Sequence, residues 1–223
     1  TGRFAVGLLF WCFLVMLMDG YDQTAVSFAA PAIIKDWHVA RGGFGPVFGA
    51  GLFGTLIGSF IFGYLGDRLG RKKAIIIGSL FFGLLTWASV WATSLQQLML
   101  LRFLAGIGMG GVVPNAVALV AEYAPKRLRA TWVTLMFSGF SIGAGSGGLV
   151  SSALIHRFGW PVMFAVGGVG SLLVAVLLIF TLPESAKLLV VRQRSVETVR
   201  RLVARLRPDL DIPADAQFVP GEV

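Results

Sequence analysis

The chain has 223 residues, 56% of them hydrophobic and only 13% charged, with 29 glycines and a formal net charge of +8. A soluble domain carries about 45–50% apolar residues, glycine included, and about 25% charged ones. So much apolar surface in a chain of this size excludes an ordinary soluble enzyme and an intrinsically disordered protein, and leaves a membrane protein.

A hydrocarbon core about 30 Å thick needs about 20 apolar residues of helix. In chain order, six stretches meet this: Phe4 to Ile34, Gly43 to Gly66, Ala74 to Thr93, Leu95 to Ala121, Thr131 to Ile155 and Trp160 to Leu182. Four are free of charge, whereas the first contains Asp19 and Asp22 and the fourth contains Arg102. The sequence predicts an all-α membrane protein of six transmembrane helices. The first stretch is too long for a signal-peptide core and reads as a span.

Of the 19 lysines and arginines, fifteen fall before the first span, in the second-to-third and fourth-to-fifth loops, or after the sixth span. The opposite loops hold only Lys35, Arg41 and Arg157. The positive-inside rule predicts both termini in the cytoplasm. The same rule explains the basic balance, so no nucleic-acid partner is expected. Cys12 is the single cysteine, and His38 and His156 fall in separate loops, so no disulfide, metal site or cofactor is expected.

Residues 1–182 read as a six-helix transmembrane domain, and 183–223 as the start of a cytoplasmic central loop. In that loop Ser195 can cap an amphipathic helix to about Arg207, with Val196, Val199, Leu202, Val203 and Leu206 on one face. It is expected to pack under the membrane domain, with anionic lipid headgroups as the alternative. A chain that starts without methionine and stops in a linker reads as part of a longer protein.

Charge inside a span costs a few kcal/mol on insertion scales and marks function or tight pairing. Asp19 and Asp22 stand at i and i+3, on one helix face, with Gly20 and Tyr21 between them. Two nearby carboxylates in low dielectric cannot both ionise cheaply, so one is suited to carry a proton. Arg102 is the only cation well inside a span, and its planar fork suits an organic carboxylate, or Asp19 or Asp22 in the empty protein. If substrate competes for the arginine, binding and protonation are coupled.

The end of the second span reads Gly66-Asp67-Arg68-Leu69-Gly70-Arg71-Lys72-Lys73, in which Asp67 can cap the next helix or accept from Arg71. This ordered string resembles the signature loop of the major facilitator superfamily of transporters. Arg102 with Gly106, Gly108, Gly110 and Gly111 is similar to the signature of that superfamily's fourth helix, and Glu122 to Arg129 to its following loop. Asp19 to Asp22, with Pro114-Asn115 leading into Glu122, most resembles the bacterial aromatic acid:proton symporters. In the fifth helix, Ala144 stands where proton antiporters of the superfamily carry a proline, which favours symport over efflux. The glycines there, Gly139, Gly143 and Gly147, also suit close helix packing.

The resemblance implies two inverted three-helix repeats, half of a twelve-helix fold, with the first and fourth helices lining a central cavity. It implies a bacterial inner-membrane carrier for proton-coupled uptake of an aromatic carboxylate. Its other wall would be a C-terminal six-helix half, or a second copy of this one. The expected substrate ligands are Arg102, Tyr21 and Asn115, and the expected proton-coupling residues are Asp19 and Asp22. Asp67, Arg68, Arg71, Glu122 and Arg129 are the expected gating residues. Pro183-Glu184-Ser185 resembles sugar porters and keeps a sugar or other metabolite porter as an alternative; a non-transporting receptor or scaffold is another.

Overall fold

A computed structural model describes residues 3–185. The expected amphipathic helix near Ser195 to Arg207 lies outside the described residues. Six helices form the bundle: α1 (Arg3–Trp37), α2 (Gly45–Leu69), α3 (Arg71–Ala88), α4 (Leu95–Tyr123), α5 (Arg129–Phe158) and α6 (Pro161–Thr181). All six lie in spans long and apolar enough to cross a membrane, and the protein is an integral membrane protein. Short 3₁₀ turns precede α2, follow α3 and precede α5.

Local signals set the helix limits. Ser94 caps α4, its hydroxyl accepting from Gln97 N at 3.2 Å, while Gln97 Oε1 reaches back to accept from Thr93 N at 3.0 Å. Proline in the first turn starts α2 and α6, where its missing N–H costs nothing. α2 and α5 end at Gly70 (φ 113°) and Gly159 (φ 74°), in a left-handed region that residues with a side chain avoid.

The most extensive pairings are α2 with α4 and α1 with α5, followed by α3 with α4. The first two are equivalent when the repeats α1–α3 and α4–α6 are exchanged, as inverted repeats require. Small residues make both crossings. A Cβ on Gly58 of α2 would strike the Ile107 carbonyl, and one on Gly110 of α4 would strike the Thr55 carbonyl. On the other pair, Gly20 of α1 abuts the Phe140 backbone and Gly143 of α5 abuts that of Leu17. Lipid tails give no hydrophobic drive to helix association, so close van der Waals contact supplies it. Large apolar side chains such as Phe60, Leu149, Leu173 and Phe180 remain on the outside.

Gly58→Val should wedge α2 from α4 and destabilise the protein by about 1–3 kcal/mol, the usual cost of overpacking. Gly63→Ala, on the same helix but with nothing within 4 Å of the added carbon, should change stability by about 0.5 kcal/mol or less. Thermal unfolding of the purified protein in detergent checks both, and equal effects at the two positions would contradict the packing account.

Candidate functional site

Arg102 on α4 is 4% exposed and must find its partners inside the bundle. Its Nη1 donates to both oxygens of Asp22 on α1, at 3.1 and 2.9 Å. Nη2 donates to Thr86 Oγ1 at 3.1 Å and to Ser89 Oγ at 3.0 Å. Both hydroxyls direct their own hydrogens elsewhere: Thr86 to Asp22 Oδ1 at 3.0 Å, and Ser89 to the Leu85 carbonyl at 2.9 Å. The Phe164 ring of α6 lies 5.0 Å from the guanidinium carbon, within cation–π range. Nε is the one donor of this guanidinium that is buried without a partner among the described residues.

The ion pair borders a cavity of about 240 Å³ between α1, α2 and α4. Val26, Val47, Phe48, Leu52, Ala105 and Met109 give it apolar walls, and Asp22, Arg102, Gln23 and Thr55 give it polar groups. Thr55 spends its hydrogen on Gly51 O at 3.0 Å. Gln23 is exposed to the cavity, and its side chain makes no hydrogen bond among the described residues. Apolar walls with a few convergent polar groups suit a small amphipathic anion. Gln23 was not legible as a site residue, since a neutral amide beside Asp22 carries no charge signal.

The expected site residues separate in space. Asp19 is 4% exposed but faces a different, smaller pocket, together with Ser79 and Ser171. Tyr21 and Asn115 do not line the large cavity. Tyr21 Oη donates to the Met163 carbonyl at 3.1 Å, tying α1 to α6. Asn115 Nδ2 donates to the carbonyls of Gly111 at 2.7 Å and Phe62 at 3.1 Å, tying α4 to α2.

The signature loops meet at one end of the bundle. Arg71 lies 3.6 Å from Asp67 and 3.3 Å from Glu122. Asp67 does not cap α3; Glu184 does, accepting from Lys72 N at 3.1 Å. Glu184 Oε1 also accepts from Ser185 N at 3.0 Å, and Ser185 Oγ donates to Glu122 Oε2 at 2.7 Å. Tyr123 Oη donates to the Glu184 carbonyl at 2.7 Å, and Lys72 Nζ to that of Ile179 at 2.9 Å. Gly70 must be glycine twice over, because its φ is positive and an added carbon would strike the Glu184 carboxylate. Arg68 instead stacks over the Tyr64 ring, 4.6 Å from its centroid. Arg129 opens α5 and makes no ion pair among the described residues.

Known proteins fit this architecture. The chain is 45% identical over 211 residues to the 4-hydroxybenzoate transporter PcaK of Pseudomonas aeruginosa, covering 95% of this chain and 47% of that protein. It is 41% identical to a gallate transporter of Pseudomonas putida, covering 89% of this chain and 44% of that one. It is 37% identical to a benzoate transport protein of Acinetobacter baylyi, covering 92% and 45%. The chain thus spans about half the length of the curated relatives it matches. In fold it is similar to the xylose transporter XylE of E. coli in a partially occluded inward-open conformation, with a TM-score of 0.79 at 21% identity, over 93% of this chain and 55% of that one. A sequence profile of the Major Facilitator Superfamily matches residues 12–210, nearly the whole bundle, and on that match the chain belongs to the Major Facilitator Superfamily.

Proposed function

We propose that the chain is the N-terminal half of a secondary transporter that takes up small aromatic carboxylates with protons across the bacterial inner membrane. Both ends of the bundle described face the cytoplasm in this reading, following the loop charges. The observation that carries it is the buried Arg102–Asp22 pair bordering an apolar cavity of about 240 Å³. An aromatic ring fits the walls from Val47, Phe48 and Leu52, its carboxylate goes to Arg102, and Gln23 can hydrogen-bond a ring hydroxyl. The names of the relatives support the cargo class, and a second six-helix half supplies the facing wall.

Coupling follows from competition for one guanidinium. A substrate anion on Arg102 weakens the arginine's hold on Asp22, and a proton on Asp22 weakens the same bond from the other side. Each event therefore favours the other, by equal free energies. Asp19, with no guanidinium partner, is the second proton-carrying acid. Tyr21 and Asn115 act by holding helices in place.

The loop cluster serves as a latch. Asp67, Arg71, Glu122 and Glu184 join the starts or ends of α2, α3, α4 and α6 on the inner face, and stabilise one of two alternating states.

Arg102→Gln in the full-length transporter should raise KM for 4-hydroxybenzoate about ten-fold or more, consistent with about 1.5–3 kcal/mol for a hydrogen bond to a charged group. Asp19→Asn should abolish accumulation against a gradient yet retain counterflow exchange, whereas Asp22→Asn should impair both. Uptake and counterflow in proteoliposomes check these, and accumulation at parent level by both aspartate variants would refute the coupling scheme. A neutral-sugar porter would instead keep its uptake in Arg102→Gln.

Asp67→Asn should slow transport several-fold while equilibrium binding of 4-hydroxybenzoate stays near the parent value. Loss of binding in a normally folded variant would place Asp67 at the substrate site and remove the latch.

A further inference from the structure

Two cavities in the bundle share a side chain. The Arg102 cavity holds about 240 Å³, whereas the pocket of Asp19 measures only about 10 Å³, room for the centre of one water. It lies among α1, α3, α4 and α6, and Met109 lines it as well as the large cavity. Its polar lining is Asp19, Ser79 and Ser171. The Ser171 hydroxyl is buried, at 2% residue exposure, and has no partner among the described residues. The pocket is thus suited to a polar guest of water size, and Met109 is the lining residue it shares with the Arg102 cavity.

We propose that Met109 is the shutter between the two compartments: in place it isolates Asp19, and when it swings it lets water and a proton pass between Asp19 and the cavity. This rests on the proton-coupled reading above and adds the residue that times the proton's access. The proton leaves a cavity water and is taken up by a carboxylate oxygen of Asp19, and it returns by the reverse step.

The neighbours leave little else free to move. Met109 sits in the run Gly106-Ile107-Gly108-Met109-Gly110-Gly111. A carbon added at Gly108 would come 2.8 Å from Phe82 N, and one at Gly110 would come 2.7 Å from Ser59 N. The α4 backbone is therefore pinned on α3 at one side and on α2 at the other. Phe82 and Ala105 pack on Met109 from the same core cluster, one a stiff ring and the other a single methyl. Methionine is unbranched with three rotatable bonds, so it can change rotamer while the backbone holds still. A ring entering beside Val47 and Phe48 occupies the cavity that Met109 borders, and so can set its rotamer.

The test places a thiol behind the shutter. In the full-length transporter with its native cysteines replaced, including Cys12→Ser, Ser79→Cys is treated with a small cationic methanethiosulfonate. Labelling should be slow with Met109 present, faster by about ten-fold or more with Met109→Ala, a barrier lower by about 1.4 kcal/mol, and slow again with Met109→Leu. Bound 4-hydroxybenzoate should slow labelling of the alanine variant by filling the cavity. If Met109→Ala fails to purify as a single species, Met109→Val gives the same reading. Equal labelling rates with and without Met109 would overturn the proposal, and this arm does not depend on what the protein carries. In proteoliposomes, Met109→Ala should also let protons cross without substrate and so raise the protons moved per 4-hydroxybenzoate, and adding Asp19→Asn should remove that flux. A parent ratio in Met109→Ala, or a flux that survives Asp19→Asn, would likewise overturn it. Absence of aromatic-acid transport in the parent would instead refute the transport reading while leaving the labelling result standing.

Discussion

A guanidinium at 4% exposure within an apolar bundle is the most demanding group in this protein. Removing an ion from water costs several kcal/mol even after relaxation, and attraction offsets that only when the geometry is good and every remaining hydrogen finds an acceptor. Arg102 meets the condition at both terminal nitrogens, though not at Nε, through Asp22, Thr86 and Ser89, which come from α1, α3 and the turn after α3. Phe164 adds its ring face from α6. One side chain therefore fixes the positions of α1, α3 and α6 around α4. In the transport reading, the same requirement lets the cluster respond to a ligand. Nε has no partner, and the bond to Asp22 is the one that an incoming anion or proton can weaken.

Glycine makes this convergence possible. The guanidinium's partners must approach within about 3 Å, so the helices that carry them must run close together. Gly58 and Gly110 bring α2 and α4 into backbone contact, and Gly20 and Gly143 do the same for α1 and α5. The contacts inside each of these pairs are largely steric. The link between the pairs at the level of the cavity is polar, because Arg102 belongs to α4 and Asp22 to α1. Steric contacts change little between states, whereas charge-assisted bonds respond to protons and anions. The bundle therefore places its responsive bonds between its rigid parts.

Much of this was legible in the sequence, for reasons that differ by element. Length and hydropathy fixed the six spans to within a few residues, since a bilayer sets helix length directly. Arg102, Asp19 and Asp22 stood out because charge in an apolar run has a known cost. The signature loop was legible through its glycines and basic residues. Which aspartate meets Arg102 was not, because the i, i+3 spacing sets both on one face and leaves the choice to the lateral position of α3 and α6. Thr86 and Ser89 look like ordinary hydroxyls in a span until an arginine is placed beside them. Glu184 carries only a family resemblance in the sequence, yet it caps α3 from 112 positions away. No local capping rule reaches that far. Tyr21 and Asn115 lie beside the right residues in the chain but turn toward Met163 and Phe62.

The cavity and the charged loop cluster share one helix, α4. Arg102, Met109, Asn115 and Glu122 succeed one another along it, and the twenty residues from Arg102 to Glu122 span about 30 Å at 1.5 Å per residue. Between these two residues, glycine contacts lock α4 onto α2, and Asn115 fastens it again to the last part of that helix. These contacts limit sliding of α4 against α2 between Arg102 and Glu122, and Arg71 and Ser185 hold the helix end at Glu122. In the transport reading, an anion that loosens Arg102 from Asp22 thereby loads the latch without touching it. The reverse also holds. In the same transport reading, opening the latch would change the position from which Arg102 reaches Asp22, and with it the affinity of the cavity for its anion.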